Sequence, residues 1–157
     1  MRNLRSFFSC ICLCLFLCLI IAGCSDAQQP EEVIHADEED NPALAYWREY
    51  YPDNRLILWN QGDITGNGRK DAVFIFNIGF RDNGMIVVLN YPEGFELTEE
   101  FPGPISNQTI EFRDIDGNPP DELVITGTKG VYAGFGIFRM EGGELINLFP
   151  YDYEMCC

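Results

Sequence analysis

A chain of 157 residues with 46% apolar and 13% aromatic side chains has material for one ordinary domain with its own core. Its formal charge of −15, from 25 acidic against 10 basic residues, sets up a field that repels nucleic acid and anionic lipid surfaces, and this excludes nucleic acid as a partner. The same surplus is compatible with cations, with basic partners, or with solubility alone.

The first five residues hold Arg2 and Arg5, residues 7–21 form a nearly unbroken apolar run, and Ile21-Ala22-Gly23-Cys24 follows directly. A basic leader, an apolar stretch and small residues are the layout of an export signal. The segment resembles the lipobox of bacterial lipoproteins, in which small residues give the processing enzyme access and an acyl-bearing lipid, palmitate for example, is placed at the cysteine. That resemblance implies a signal peptide over residues 1–23, lipid at Cys24, and anchorage to a membrane of the bacterial cell envelope on its extracytoplasmic face. Without Arg2 and Arg5 the mature charge becomes −17, with eight basic against 25 acidic residues. The alternative is an uncleaved membrane helix, since residues 6–23 approach the roughly 20 residues that span a bilayer core.

Seven cysteines suggest a disulfide protein until they are placed along the chain. Cys10, Cys12, Cys14 and Cys18 fall in the apolar run and Cys24 in the lipobox, which leaves the adjacent pair Cys156 and Cys157. Side chains of consecutive residues diverge in extended chain, so free or intermolecular thiols are expected there before an internal bridge.

Residues 24–40 carry seven acidic and no basic side chains, the composition of a solvated tether. His35, the chain's one histidine, is expected to be a solvated bystander within it. Asn41-Pro42 supplies an N-cap and a first-turn proline. Ala43, Leu44, Trp47 and Tyr51 have the spacing of a short amphipathic helix that ends at Pro52. The aromatic cluster Tyr46, Trp47, Tyr50 and Tyr51 is read as a core-facing stripe before a ligand platform.

After residue 55, β-branched and aromatic runs alternate with Gly, Asn and Pro clusters, the pattern of short strands and tight turns. Strands are expected near residues 55–59, 72–77, 85–90, 95–99, 109–113, 123–126, 134–140 and 145–148. Asp63-Ile64-Thr65-Gly66-Asn67-Gly68-Arg69-Lys70-Asp71 and the apolar Ala72-Val73-Phe74-Ile75 align, at a shift of 51, with Asp114-Ile115-Asp116-Gly117-Asn118-Pro119-Pro120-Asp121-Glu122 and Leu123-Val124-Ile125-Thr126. Leu89, Gly94 and Leu97 align with Phe138, Gly143 and Ile146 at a shift of 49. The expected fold is mainly β: two repeated antiparallel units of about four short strands, propeller-blade-like, preceded by one short helix. The folded domain covers residues 41–157, with repeats over about 55–101 and 109–149.

Calcium takes six to eight oxygens, and a nine-residue loop with oxygen-bearing side chains at alternate positions can wrap it. The first loop offers Asp63, Thr65, Asn67 and Asp71 with the carbonyl of Arg69; the second offers Asp114, Asp116, Asn118 and Glu122 with the carbonyl of Pro120. The twelfth position of each loop holds Phe74 or Ile125 inside an apparent strand, which disfavours an EF-hand. The two segments resemble the loop-then-strand calcium motif of FG-GAP and VCBS repeats in integrin-like propellers, over roughly residues 56–148. That resemblance implies Ca2+ as a weakly bound cofactor. Thr65 stands where the family usually has Asp or Asn, and Pro119 where it usually has Gly. A second reading also stands: both loops are turns whose Asp and Asn side chains satisfy their own backbone.

No Gly-x-Ser-x-Gly elbow or phosphate-cradling glycine loop occurs, and neither Cys156 nor Cys157 has an evident histidine partner, so no enzyme is expected. Carboxylate pairs such as Glu99 with Glu100 and Asp121 with Glu122 leave a hydrolase as the lesser expectation. The leading expectation is a membrane-anchored lipoprotein with a calcium-binding β-repeat module for protein interaction or adhesion. The alternative is a metal-free structural or accessory subunit of an envelope complex. In both, the partner is a protein whose identity the residues do not name. Tyr151, Tyr153 and Met155 are expected to close the core, or else to mark an interface.

Overall fold

The computed structural model describes residues 40–149. The signal segment, Cys24, His35, the tether up to residue 39, and residues 150–157 with Tyr151, Tyr153, Met155, Cys156 and Cys157 lie outside the described residues. The described chain is mainly β, with one helix, α1 (Pro42–Tyr50), and nine strands. These are β1 (Leu56–Gly62), β2 (Asp71–Gly79), β3 (Asp82–Tyr91), β4 (Gly94–Leu97), β5 (Phe101–Gly103), β6 (Ser106–Arg113), β7 (Glu122–Lys129), β8 (Tyr132–Glu141) and β9 (Glu144–Asn147).

Helix α1 begins where Asn41-Pro42 says it should. The Asn41 side chain accepts the otherwise orphaned N–H groups of Ala43 and Leu44 at 3.0 and 3.2 Å, and Pro42 occupies the first turn, where no N–H is needed. Its buried face is Ala43 and Trp47, set against Ala72, Phe74, Phe76, Ile86 and Val88 of the first sheet. The Trp47 ring stacks on Phe74 at 5.2 Å and on Tyr51 at 5.7 Å. Tyr50, expected in the same stripe, points outward and is 57% exposed.

All strand pairs are antiparallel and form two sheets, β1-β2-β3-β4 with β5 added on β3, and β6-β7-β8-β9. The two sheets do not close into a ring. Strand β5 was not expected from Phe101-Pro102-Gly103, because proline and glycine read as breakers. It forms because β4 pairs only with Val88–Tyr91, so the Asn83–Met85 stretch of β3 is left for Pro102 and its neighbours at a sheet edge, where a missing N–H is tolerated.

The shift of 49 expected for the later strands is corrected by the register. Ala72 pairs Val88 and Leu123 pairs Phe138, so β3 and β8 correspond at a shift of 50. The missing residue lies in the β2–β3 hairpin, whose register slips between Asn77 and Gly79, whereas β7–β8 pairs without a break to Lys129 and Tyr132. A one-residue bulge in the first hairpin therefore accounts for the difference in length.

Strands β2 and β3 are apolar on both faces because both faces are covered. Val73, Ile75, Met85, Val87 and Leu89 meet Ile110, Leu123, Ile125, Phe138 and Leu145 of the second sheet, while Phe74 and Ile86 on the opposite face meet α1. The sheets come closest at β1 and β6. There Asn60 Nδ2 donates to the Ile110 carbonyl at 2.9 Å, and a Cβ at Gly62 would fall 2.2 Å from the Phe112 ring.

Trp47 is fully buried, yet among the described residues its indole Nε1–H has no hydrogen-bond partner. Its contribution is therefore ring contact, and the polar atom adds nothing that phenylalanine would lose. Trp47→Ala is expected to cost about 3–5 kcal/mol in urea unfolding, and Trp47→Phe distinctly less. Equal losses for the two variants would show that the N–H matters.

Candidate functional site

Both aspartate loops end in a buried carboxylate at the first residue of a central strand: Asp71 opens β2 and Glu122 opens β7, each with 0% exposure. Each turns back to accept the backbone N–H seven residues upstream, Ile64 at 3.0 Å and Ile115 at 2.8 Å. The fourth position of each loop is a glycine in the left-handed region, Gly66 at φ 70° and Gly117 at φ 81°. To this point the loops are alike.

The first loop satisfies itself. Asp71 Oδ2 also accepts the Thr65 N–H at 3.1 Å and lies 3.2 Å from the Thr65 hydroxyl, and Oδ1 accepts the Asn90 N–H at 2.8 Å. Asp63 accepts the N–H of Asn67 on one oxygen at 3.1 Å and that of Gly68 on the other at 2.7 Å. Asn67 turns away, its amide donating to the Asn90 carbonyl at 2.9 Å and its oxygen accepting from the Arg69 N–H at 2.8 Å. Asp63, Thr65 and Asp71 are thus brought together, while Asn67 is committed to backbone, and Arg69 is exposed. With two carboxylates already used by backbone donors, this loop fits the turn reading better than a calcium cage.

The second loop diverges where proline replaces glycine. Gly68 has φ 81° and donates its N–H to Asp63 Oδ2; the equivalent Pro119 has no N–H and a φ held near −65°. Asp114 instead accepts the Gly117 N–H on Oδ1 at 2.6 Å, and among the described residues no donor meets its Oδ2. Asp116 Oδ1 accepts the Asn118 N–H at 2.9 Å. One oxygen each from Asp114, Asp116 and Glu122 lies within 4.8 Å of the others, the first two exposed and the third buried. The Asn118 amide donates to the Asp116 carbonyl at 3.3 Å, and Pro120 sits 3.4 Å from where a Cβ at Gly66 would lie, so the two loops touch.

Arg139 is the residue that sequence reasoning missed. From β8 its guanidinium binds Glu122 Oε1 through Nε at 2.8 Å and through a second nitrogen, and it reaches Asp116 Oδ2 at 2.6 Å. The bond to Glu122, then those to Asp116, hold the Arg139 pKa above its ordinary value. The Asn118 backbone N–H, reinforced by Arg139, holds the Asp116 carboxyl below the ordinary aspartate range. Three carboxylates around one guanidinium leave two negative charges in excess, the complement of a divalent ion. Asp114, Asp116 and Glu122, with the amide oxygen of Asn118 and the carbonyl of Pro120, therefore fit calcium by donor type. An ion would have to displace or share with Arg139.

Burial pushes the Asp71 carboxyl above the ordinary aspartate value, against the hydrogen bonds from Asn90, Thr65 and Ile64 that pull it down. Between the ordinary and the raised value the folded state keeps a proton that the unfolded chain has released, so this group's contribution to stability falls as pH rises through that window. Asp71→Asn is expected to destabilise by about 1–3 kcal/mol near neutrality, because the amide turns a donor towards N–H groups that need an acceptor. Relative to Asp71→Asn, wild-type stability should grow on acidification towards about pH 4. Urea unfolding across that range checks both, and a constant difference would remove the titration of Asp71. No family model matches the chain, and no curated protein or solved structure matches it.

Proposed function

We propose that the chain is a lipid-anchored, extracytoplasmic and non-enzymatic β module for protein interaction or adhesion, in which the second loop takes up Ca2+ in competition with Arg139. The observation that carries the calcium part is the convergence of Asp114, Asp116 and Glu122 oxygens where Pro119 has removed a backbone donor. The like order of β1-β2-β3-β4 and β6-β7-β8-β9 supports the reading of two blade-like units from the FG-GAP and VCBS resemblance. Cys24 and the residues around it carry the anchoring part.

Extracellular calcium modules bind at roughly 10⁻⁴–10⁻³ M, so occupancy follows the surroundings of the protein. At ten times the dissociation constant, an ion that binds only the folded state adds about 1.4 kcal/mol. Thermal unfolding with calcium, magnesium and chelator is expected to show a calcium-specific rise of roughly 5 °C or more. In Arg139→Gln the rise should be larger, from a lower starting point in chelator, because the built-in cation is gone. Arg139 also favours a second reading, a metal-free accessory subunit whose loop is closed permanently by the guanidinium. That reading requires no calcium response in wild type and no calcium rescue in Arg139→Gln.

The anchor is tested separately. Cys24→Ser is expected to release the protein from the membrane fraction. Unchanged fractionation together with an uncleaved N-terminus would remove the lipid anchor.

A further inference from the structure

We infer that the tips of the β2–β3 and β7–β8 hairpins dock on the surface of a lipid bilayer, with Phe80 and Val131 entering it and Arg81 and Lys129 meeting lipid phosphates. The inference rests on the lipid anchor at Cys24 proposed above, which keeps the domain beside a membrane.

Both tips are two-residue turns: Gly79 pairs Asp82 across Phe80-Arg81, and Lys129 pairs Tyr132 across Gly130-Val131. Phe80 is 95% exposed and Val131 92%, and Tyr132 beside it is also exposed. A single exposed apolar side chain is ordinary, but nearly bare ones on the corresponding turn of each repeat form a patterned surface. The first turn also runs against its own backbone. Arg81 sits at φ 56°, where glycine or asparagine is usual, whereas a glycine, Gly130, takes the positive φ of the second turn. Folding by itself favours a pair such as Asn-Gly there, so Phe80-Arg81 is a choice made for what the turn meets.

The two tips share one end of the domain. At the base of the first hairpin, the Asn83 side chain donates to the Pro104 carbonyl at 2.7 Å, and the next residue, Ile105, donates its N–H to the Thr128 carbonyl at the base of the second at 3.2 Å. The charge there differs from that of the chain as a whole. The tips and the adjoining 53–55 turn, whose Asn54 amide donates to the Asn77 carbonyl, hold Arg55, Arg81 and Lys129 against Asp53 and Asp82. The opposite end carries the second loop, with Asp114, Asp116, Asp121 and Glu122 and no basic residue. A bilayer with anionic lipid therefore repels the hairpin end least, and Arg81 and Lys129 can pair with its phosphates.

Shape favours a bilayer over a protein as the occupant. A stable protein interface needs about 800 Å² from each partner, more than two narrow turns offer. A membrane surface takes up single side chains: Phe80 and Val131 at the acyl boundary, the Tyr132 ring among the headgroups, and the two cations at the phosphates. Reach allows it as well. The 17 residues from 25 to 41 can span at most about 60 Å, and a nine-residue strand such as β2 is only about 30 Å long. An anchor at Cys24 thus lets either end of the domain face the membrane.

The test uses the full lipidated chain in vesicles of equal parts phosphatidylcholine and phosphatidylglycerol with brominated acyl chains, which quench tryptophan on contact. Phe80→Trp and Val131→Trp place an indole on each tip, Ile115→Trp places one at an exposed site on the second loop, and wild type supplies the signal of Trp47 and Trp59. Emission added at either tip is expected to be quenched at least about threefold more than that added at residue 115. Combining Arg81→Glu and Lys129→Glu with Phe80→Trp should reduce the quenching, each cation contributing roughly fivefold to the docking equilibrium. Flotation of wild type with the vesicles reads the anchor by itself. Flotation with equal quenching at residues 80, 131 and 115 would overturn the docking and leave the anchor standing, whereas a chain that does not float would overturn both. A concentration-dependent dimer in sedimentation that Phe80→Ser abolishes would also overturn the inference, by assigning the tips to a second copy of the chain.

Discussion

A carboxylate buried at the mouth of a central strand is the constraint around which both halves of this protein are arranged. Asp71 and Glu122 have no exposed surface, and an ionised group in that position is tolerable only when donors meet it. The donors come from the loop that leads to it, Ile64 N–H in one case and Ile115 N–H in the other. The bond folds nine residues back on themselves and fixes where the strand starts. It also explains why a hydrophobic strand can follow an acidic loop without a gap between them.

Below that common bond, the loops differ through a single backbone donor. Gly68 can adopt positive φ and give its N–H to Asp63; Pro119 can do neither, and among the described residues Asp114 keeps one oxygen without a donor. The first loop is thereby closed by backbone, and the second is closed by a cation. Arg139 supplies that charge from the neighbouring strand, in a chain that is strongly acidic. Its Nε and a second nitrogen on Glu122, with a further bond to Asp116, make a geometry that lysine could not reproduce.

Same-sense stacking gives the domain two unlike ends. The first sheet is covered on one face by α1 and on the other by the second sheet, so its central strands are apolar throughout. The second sheet is covered on one face by the first, and its other face mixes Val124, Phe135 and Ile137 with Thr126, Glu111 and Arg139. The composition of each strand follows from how many of its faces leave water.

Eight of the nine strands, the helix and its Asn41 cap were legible in the sequence, because alternation, turn residues and capping chemistry act over a few neighbouring residues. The twin loops were legible for the same reason, as was the grouping of Asp114, Asp116 and Glu122 in one of them. Strand β5 was not, since Pro102 forms no strand by propensity and is held by an unused stretch of β3. Arg139 was not read either, although a signal existed: the short turn that pairs Lys129 with Tyr132 sets a register in which Glu122 falls opposite residue 139. The sequence by itself determined which segments are strands and which loops carry the charge. Only the tertiary structure decided which sheet face meets the other and which loop receives an arginine, because those outcomes depend on pairings between residues far apart in the chain.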